Sequence, residues 1–203
     1  AQTIQAGQIK VEFNGLGGQD RATLTGTNTS DEARLQASEG WLMGANYTVT
    51  VINVESITVD GQGGDDKVTL VDSPGNNVLV ASPTQATFTG DGLDLKALQF
   101  ERVNAFATRG FDRAYFTDSA GNDVFTARPI SSWLMGEAQQ YTLFAKFFDQ
   151  VHAFSLAGGV DRANITGSSG NDLFTAALNE ARMSASDNSY LLRARAFEIV
   201  NVQ

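Results

Sequence analysis

The side chains able to do chemistry in this 203-residue chain are mostly carboxylates, and they recur at fixed intervals instead of gathering in one place. A Gly-x-Asp anchor occurs at Gly18 and Asp20, Gly64 and Asp66, Gly110 and Asp112, and Gly159 and Asp161, so its aspartates lie 46, 46 and 49 residues apart. Eleven residues after each anchor aspartate comes a second polar position, Asp31, Asn77, Asp123 and Asp172, set in a Gly-Asn-Asn or Gly-Asn-Asp turn in the last three copies. Asp and Asn bond their own backbone and tolerate left-handed geometry, so tight corners, with asparagines stacked between coils, are one use for them. Catalysis asks instead for a few unique groups within hydrogen-bond reach of each other. The one histidine, His152, has no cysteine or second histidine with which to build a zinc site and reads as a surface residue. No nucleophile elbow marks a serine. The pattern favours a noncatalytic chain; the strongest enzyme alternative is a polysaccharide-degrading β-helix with a carboxylate-lined cleft.

Two more charged sets keep the same rhythm. The residue after each anchor aspartate is basic (Arg21, Lys67, Arg113, Arg162), and an acidic set comprises Glu55, Glu101, Asp149 and Glu198. Repetition predicts that each set forms an outward-facing column, where an isolated ion pair is worth about 0 to 1 kcal/mol and mainly fixes register. A charged stripe that meets an acidic or sulfated surface polysaccharide is the functional alternative. Trp41 and Trp133 stand at equivalent positions beside Leu42 and Leu134, while the other two copies have Thr87 and Arg182 there. Strict alternation would expose both rings, which makes them candidates for a glycan or protein contact; a packed corner is the competing reading.

These residues must be positioned by short strands. Between the anchors apolar residues alternate, as in Ala22 and Leu24, Val68 and Leu70, Phe116 and Ala114, and Ile165 and Ala163, which is strand period. A third anchor, Phe-x-x-Val, occurs at Phe100 and Val103, Phe148 and Val151, and Phe197 and Val200, with Val54 and Ile57 as its first version. Tyr47, Leu93, Tyr141 and Tyr190 precede these by seven residues. Four or five strands per copy cannot bury their inward faces alone, whereas stacked copies share a continuous core. The expected fold is an all-β parallel β-solenoid over residues 1–203, with copies at about 14–59, 60–105, 106–154 and 155–203. Two coils of about 23 residues per copy would fit, and a four-bladed β-propeller is the alternative. Residues 1–13 align with the Tyr-to-Val segment of a copy, as expected of a piece cut from a longer array.

Composition bounds the partners. A formal charge of −9 and a pI near 4.5 argue against nucleic acid and anionic membrane surfaces. No cysteine is present, so neither disulfides nor thiolate metal sites exist. No apolar run is long enough to insert in a membrane.

Taken together, the segments Phe111 to Phe125 and Phe148 to Phe154 resemble the tandem repeats of very large planctomycete-type surface and secreted proteins. That resemblance implies an extracellular, cell-surface role in architecture or adhesion. Unpaired strand edges on an uncapped terminal coil would let neighbouring repeats or further copies of the chain associate end to end into filaments, and no cofactor is required. A second, local resemblance is to the calcium-binding nonapeptide of haemolysin-type β-rolls, from which the segment Gly167 to Thr175 departs only at Ser168. It implies Ca²⁺ at one or more of Asp118, Asp123 and Asp172, since turns that converge on this hard cation must supply six or more oxygens. Half-turns 11 residues apart instead of 9, and the neutral Asn77, depart from that pattern.

Overall fold

The computed structural model describes residues 9–203. After β1 (Ile9–Asn14) each copy contributes five strands. The first copy holds β2 (Arg21–Thr25), β3 (Glu32–Gln36), β4 (Glu39–Gly44), β5 (Tyr47–Ile52) and β6 (Ser56–Asp60). The second holds β7 (Lys67–Val71), β8 (Asn77–Ser82), β9 (Gln85–Gly90), β10 (Leu93–Leu98) and β11 (Arg102–Phe106). The third holds β12 (Arg113–Thr117), β13 (Val124–Ala127), β14 (Ser131–Met135), β15 (Thr142–Lys146) and β16 (Gln150–Phe154). The fourth holds β17 (Arg162–Ile165), β18 (Asp172–Ala177), β19 (Glu180–Ala185), β20 (Leu191–Arg195) and β21 (Ile199–Val202). The alternating apolar residues point inward as their period requires: Val68, Leu70, Ala114, Phe116, Ala163 and Ile165 are all buried in one shared core.

Two stacked sheets enclose that core, so the molecule is a parallel β-solenoid and not a ring of propeller blades. The first sheet runs β1-β5-β4-β3-β7-β11-β15-β14-β13-β17-β21, and the second β2-β6-β10-β9-β8-β12-β16-β20-β19-β18. Copies join through parallel pairs such as β3 with β7, β11 with β15 and β8 with β12. Within a copy the middle three strands form an antiparallel meander, because short turns reverse the chain inside one sheet instead of carrying it across.

The expected two coils per copy are therefore corrected. Each copy makes three passes: one strand in one sheet, a meander in the other, and one strand back. An odd number of passes starts the next copy on the opposite sheet. Homologous strands accordingly alternate, with β2 and β12 in the second sheet and β7 and β17 in the first.

Two backbone features make the sharp crossings possible. The residue before each Phe-x-x-Val anchor is left-handed, Asn53 (φ 56°), Gln99 (φ 55°), Phe147 (φ 68°) and Ala196 (φ 65°), and this kink turns the chain out of the meander. Phe100 and Phe148 can then enter the core, where Phe148 stacks on Phe88 at 5.6 Å. The anchor glycines Gly110 and Gly159 adopt φ 124° and 102°. A Cβ on them would lie 1.8 Å from the Gly75 carbonyl oxygen and 2.1 Å from that of Gly121. Only glycine serves where one turn docks so closely on the turn of the preceding copy.

Candidate functional site

The recurring carboxylates line the corners of the solenoid, and most are buried. Asp66, Asp112 and Asp161 are at most 2% exposed, positions a carboxylate occupies only with hydrogen-bond donors around it. The donors come from the preceding copy. The backbone N–H of Asp31 donates to Asp66 (2.7 Å), that of Asn77 to Asp112 (2.8 Å) and that of Asp123 to Asp161 (2.7 Å). The anchor aspartate's own N–H then donates to the acidic residue after the third anchor: Asp20 to Glu55, Asp66 to Glu101, Asp112 to Asp149 and Asp161 to Glu198, all within 2.7–2.8 Å. In the second and third copies the middle asparagine of the Gly-Asn-Asn or Gly-Asn-Asp turn closes the joint. Asn76 accepts from the Phe111 N–H and Asn122 from the Val160 N–H, both at 2.8 Å.

Both expected columns need correction. The acidic set caps backbone N–H groups at the corners and does not form an outward ladder of ion pairs. The basic set is split, with Arg21 and Arg113 on the second sheet and Lys67 and Arg162 on the first, because homologous strands alternate. Of these four, Lys67 reaches a carboxylate across strands, Glu32 at 2.9 Å.

Turn residues bond their own backbone as the sequence suggested. The N–H groups of Thr27, Ser119 and Ser168 donate to Asp31, Asp123 and Asp172, four residues later in each case. A tyrosine adds a second clasp: Tyr141 donates to Asp123 at 2.7 Å and Tyr190 to Asp172 at 2.5 Å. Tyr47 lies beside Asp31 in the first copy, but its hydroxyl and the Asp31 Oδ1 are buried without a hydrogen-bond partner there. Burial and the neighbouring carboxylate raise all three phenol pKa values, that of Tyr190 to about 12. In the second copy Leu93 replaces the tyrosine and cannot donate. There the acid is the amide Asn77, whose Nδ2 donates to Ser73 and Gly75 carbonyls while its Oδ1 accepts from the Ser73 hydroxyl. The loss of charge at Asn77 thus follows from the loss of a hydroxyl at Leu93.

Of the three candidate cation ligands, Asp118 and Asp123 come together and Asp172 does not. They are joined by Asp161, and the three buried carboxylates lie with oxygens within 4.8 Å of one another. Asp161, a residue of the next copy, belongs to this group only because stacking brings it there. Protein donors already reach all three: Leu156 and Ala157 N–H groups on Asp118, Ser119 and Tyr141 on Asp123, and the Ser155 hydroxyl on Asp161. Asp172 begins β18 at the opposite corner of the solenoid and belongs to no such group among the described residues.

Trp41 and Trp133 lie on the outer face of the first sheet, half-buried, above buried Leu42 and Leu134. Register places them in one row, separated by Arg34, Thr69, Asn104 and Phe144. Their counterparts Thr87 and Arg182 are on the second sheet, so the apparent irregularity is a difference between two faces. Arg128 covers Trp133 with its guanidinium 5.4 Å from the ring, and a shallow hollow of about 140 Å³ lies beside Trp41. His152 is on the outer face of the second sheet as its strand position implies, yet it is only 7% exposed, stacked on Tyr115 at 4.9 Å.

Two outcomes test this corner chemistry. Tyr141→Leu strips a donor from buried Asp123 and should cost about 1–3 kcal/mol, whereas adding Asp123→Asn should recover part of that loss by recreating the Leu93 and Asn77 pair. Urea unfolding of the four corners of this cycle gives the coupling; strictly additive effects would contradict the account. For pH, burial, with help from Glu101 and Asp31, pushes Asp66 up to about 6 from an ordinary 3.8, and burial also raises Asp72 and Asp112. Folded Asp66 keeps a proton that the unfolded chain releases, so its contribution to stability is full below about pH 4 and is lost as pH rises through about 6. The urea midpoint should fall over that window, and Asp66→Asn should flatten the profile. No family model matches the chain, and no curated protein or solved structure does either.

Proposed function

We propose that the chain is a noncatalytic structural module of an extracellular or cell-surface protein, one that extends by stacking its ends on further units of the same architecture. The observation that carries this reading is the end of the solenoid. Across the core β3 faces β10 and β4 faces β6, so by strand order β21 lies opposite β18 and β5 opposite β2, while β1 overhangs. At the β18 and β21 end the two sheets stop flush around an open cleft of about 450 Å³ that Phe174, Phe197, Val200 and Val202 line. Leu173, Phe174 and Val200 are exposed there, as are Ile9, Val11 and Phe13 on β1. Exposed apolar edge strands are templates for pairing.

The internal joints supply the pattern for such pairing. β21 is the counterpart of β11, which pairs with β15, and β18 is the counterpart of β8, which pairs with β12. A second copy can therefore seat its β5 on β21 and its β2 on β18 without any new kind of contact. The segment β1, which already covers β5 with Val11 against Val49, is then displaced by the Val200 strand of its neighbour. The same charged and turn residues serve every copy, which suits propagation and leaves no unique constellation for catalysis.

By the register of β8 on β12, in which Val80 meets Tyr115, Thr175 of one copy should meet Thr23 of the next. Both are exposed and the chain has no cysteine of its own. A Thr23→Cys/Thr175→Cys variant should oxidise into a ladder of covalent oligomers, and the parent chain should grow in size with concentration by light scattering. A monomer at all concentrations with no cross-linking would overturn this reading. Calcium is a second reading, favoured by the Asp118, Asp123 and Asp161 group. It calls for a rise in melting temperature with calcium that a chelator reverses and Asp118→Asn removes; an unchanged melt rejects it.

A further inference from the structure

The chain is strongly acidic, at −9, yet one patch of its surface is cationic. On the outer face of the second sheet, register pairing lines up Tyr115, His152, Arg193 and Arg182 along the solenoid axis. Arg113 and Gln150 form the row on one side, and Phe154, Arg195 and Glu180 the row on the other. Four arginines thus share the face of four adjacent strands with a single carboxylate, Glu180. That carboxylate is engaged by Arg193. Arg113, Arg182 and Arg195 have no carboxylate partner among the described residues.

The patch is ordered by packing. Tyr115 and His152 stand face to face with only 11° between their ring planes, and Phe154 lies 5.9 Å from the Arg193 guanidinium. Burial and then Arg193, Arg182 and Arg113 push His152 down to about 4, so it is neutral at pH 7 and registers the positive field around it. The cations do not converge on a point. Arg193 and Arg182 share the central row, while Arg113 on β12 lies to one side of it and Arg195 on β20 to the other, so the cations spread over the face of four strands.

Unpaired guanidinium groups spread over an outer sheet face, and not gathered at one point, fit an extended anion better than a compact one. Each arginine offers a planar fork that matches a carboxylate or sulfate. Three free arginines are too few for the charge density of nucleic acid, which needs many phosphate contacts. An extended polymer of sugar acids carries one carboxylate per ring with hydroxyls between, so its charges can meet cations spread across several strands. We propose that this face binds an extended acidic polysaccharide of the polyuronate type, its carboxylates taken by Arg113, Arg182 and Arg195 and its hydroxyls by Tyr115, Gln150 and Thr175.

This surface lies along the side of the solenoid, so the proposal stands or falls apart from end stacking. Titration calorimetry with an oligogalacturonate at low salt should show binding that weakens as salt rises, with a neutral glucan of equal length inert. Arg182→Glu/Arg195→Glu reverses two exposed charges and should raise Kd by about tenfold or more, with circular dichroism unchanged. Arg162→Glu, on the first sheet, should leave Kd as it was. Absence of oligogalacturonate binding, equal losses from Arg162→Glu and from the double variant, or tighter binding of a polyglutamate peptide would each overturn the proposal, the last by pointing to an acidic protein partner.

Discussion

The fold depends on buried carboxylates that can be satisfied only by a neighbouring copy. Asp66, Asp112 and Asp161 each give up water at a corner and recover hydrogen bonds from a backbone N–H that lies 35 to 38 residues earlier in the chain. A charge buried without such partners costs several kcal/mol, while a hydrogen bond to a charged group returns about 1.5–3 kcal/mol. The balance is favourable only when successive copies stack in register. Each corner thus couples two copies, and a slip by one residue breaks the acidic cap, the asparagine clasp and the inward alternation together. Nearest-neighbour coupling of this kind is what lets a solenoid hold together without long-range contacts.

The second constraint is the odd number of passes per copy. With two or four, every homologous position would stack in a single column along one face. Three passes send alternate copies to opposite faces, so one sequence frame builds two surfaces of different character. The first sheet carries Trp41 and Trp133, and the second carries Tyr115, His152 and a cluster of arginines.

Small differences between copies show what each corner requires. The paired change from tyrosine and aspartate to Leu93 and Asn77 keeps every polar atom supplied, by trading a hydroxyl donor for an amide that donates to its own turn. Asp20 and Asp66 are the less settled anchors, since each has one oxygen buried with no partner and the neighbouring Gly15 or Gly61 offers no side chain to reach it. In the fourth copy Ser155 fills that role for Asp161 at 2.5 Å. Burial, with the neighbouring charges of Glu101 and Asp31, raises the pKa of Asp66.

Much of this was legible from spacing alone. Period-2 alternation, the invariant eleven-residue step and the three anchors determine four or five strands per copy, the inward residues and a stacked β architecture, because side-chain direction in a strand is a local property. The turn role of Asp31, Asn77, Asp123 and Asp172 is equally local. What spacing could not carry is which sheet a strand joins, since a two-residue turn that folds back and a corner that crosses over draw on the same residue types. The left-handed corners at Asn53, Gln99, Phe147 and Ala196 contain no glycine and leave no compositional trace. Consequently the split of the basic set, the meeting of Asp161 with Asp118 and Asp123, and the arginine face were decided only by tertiary structure. All three depend on pairing between residues in different copies, and it is the odd pass count, a property of the folded path, that selects those pairs.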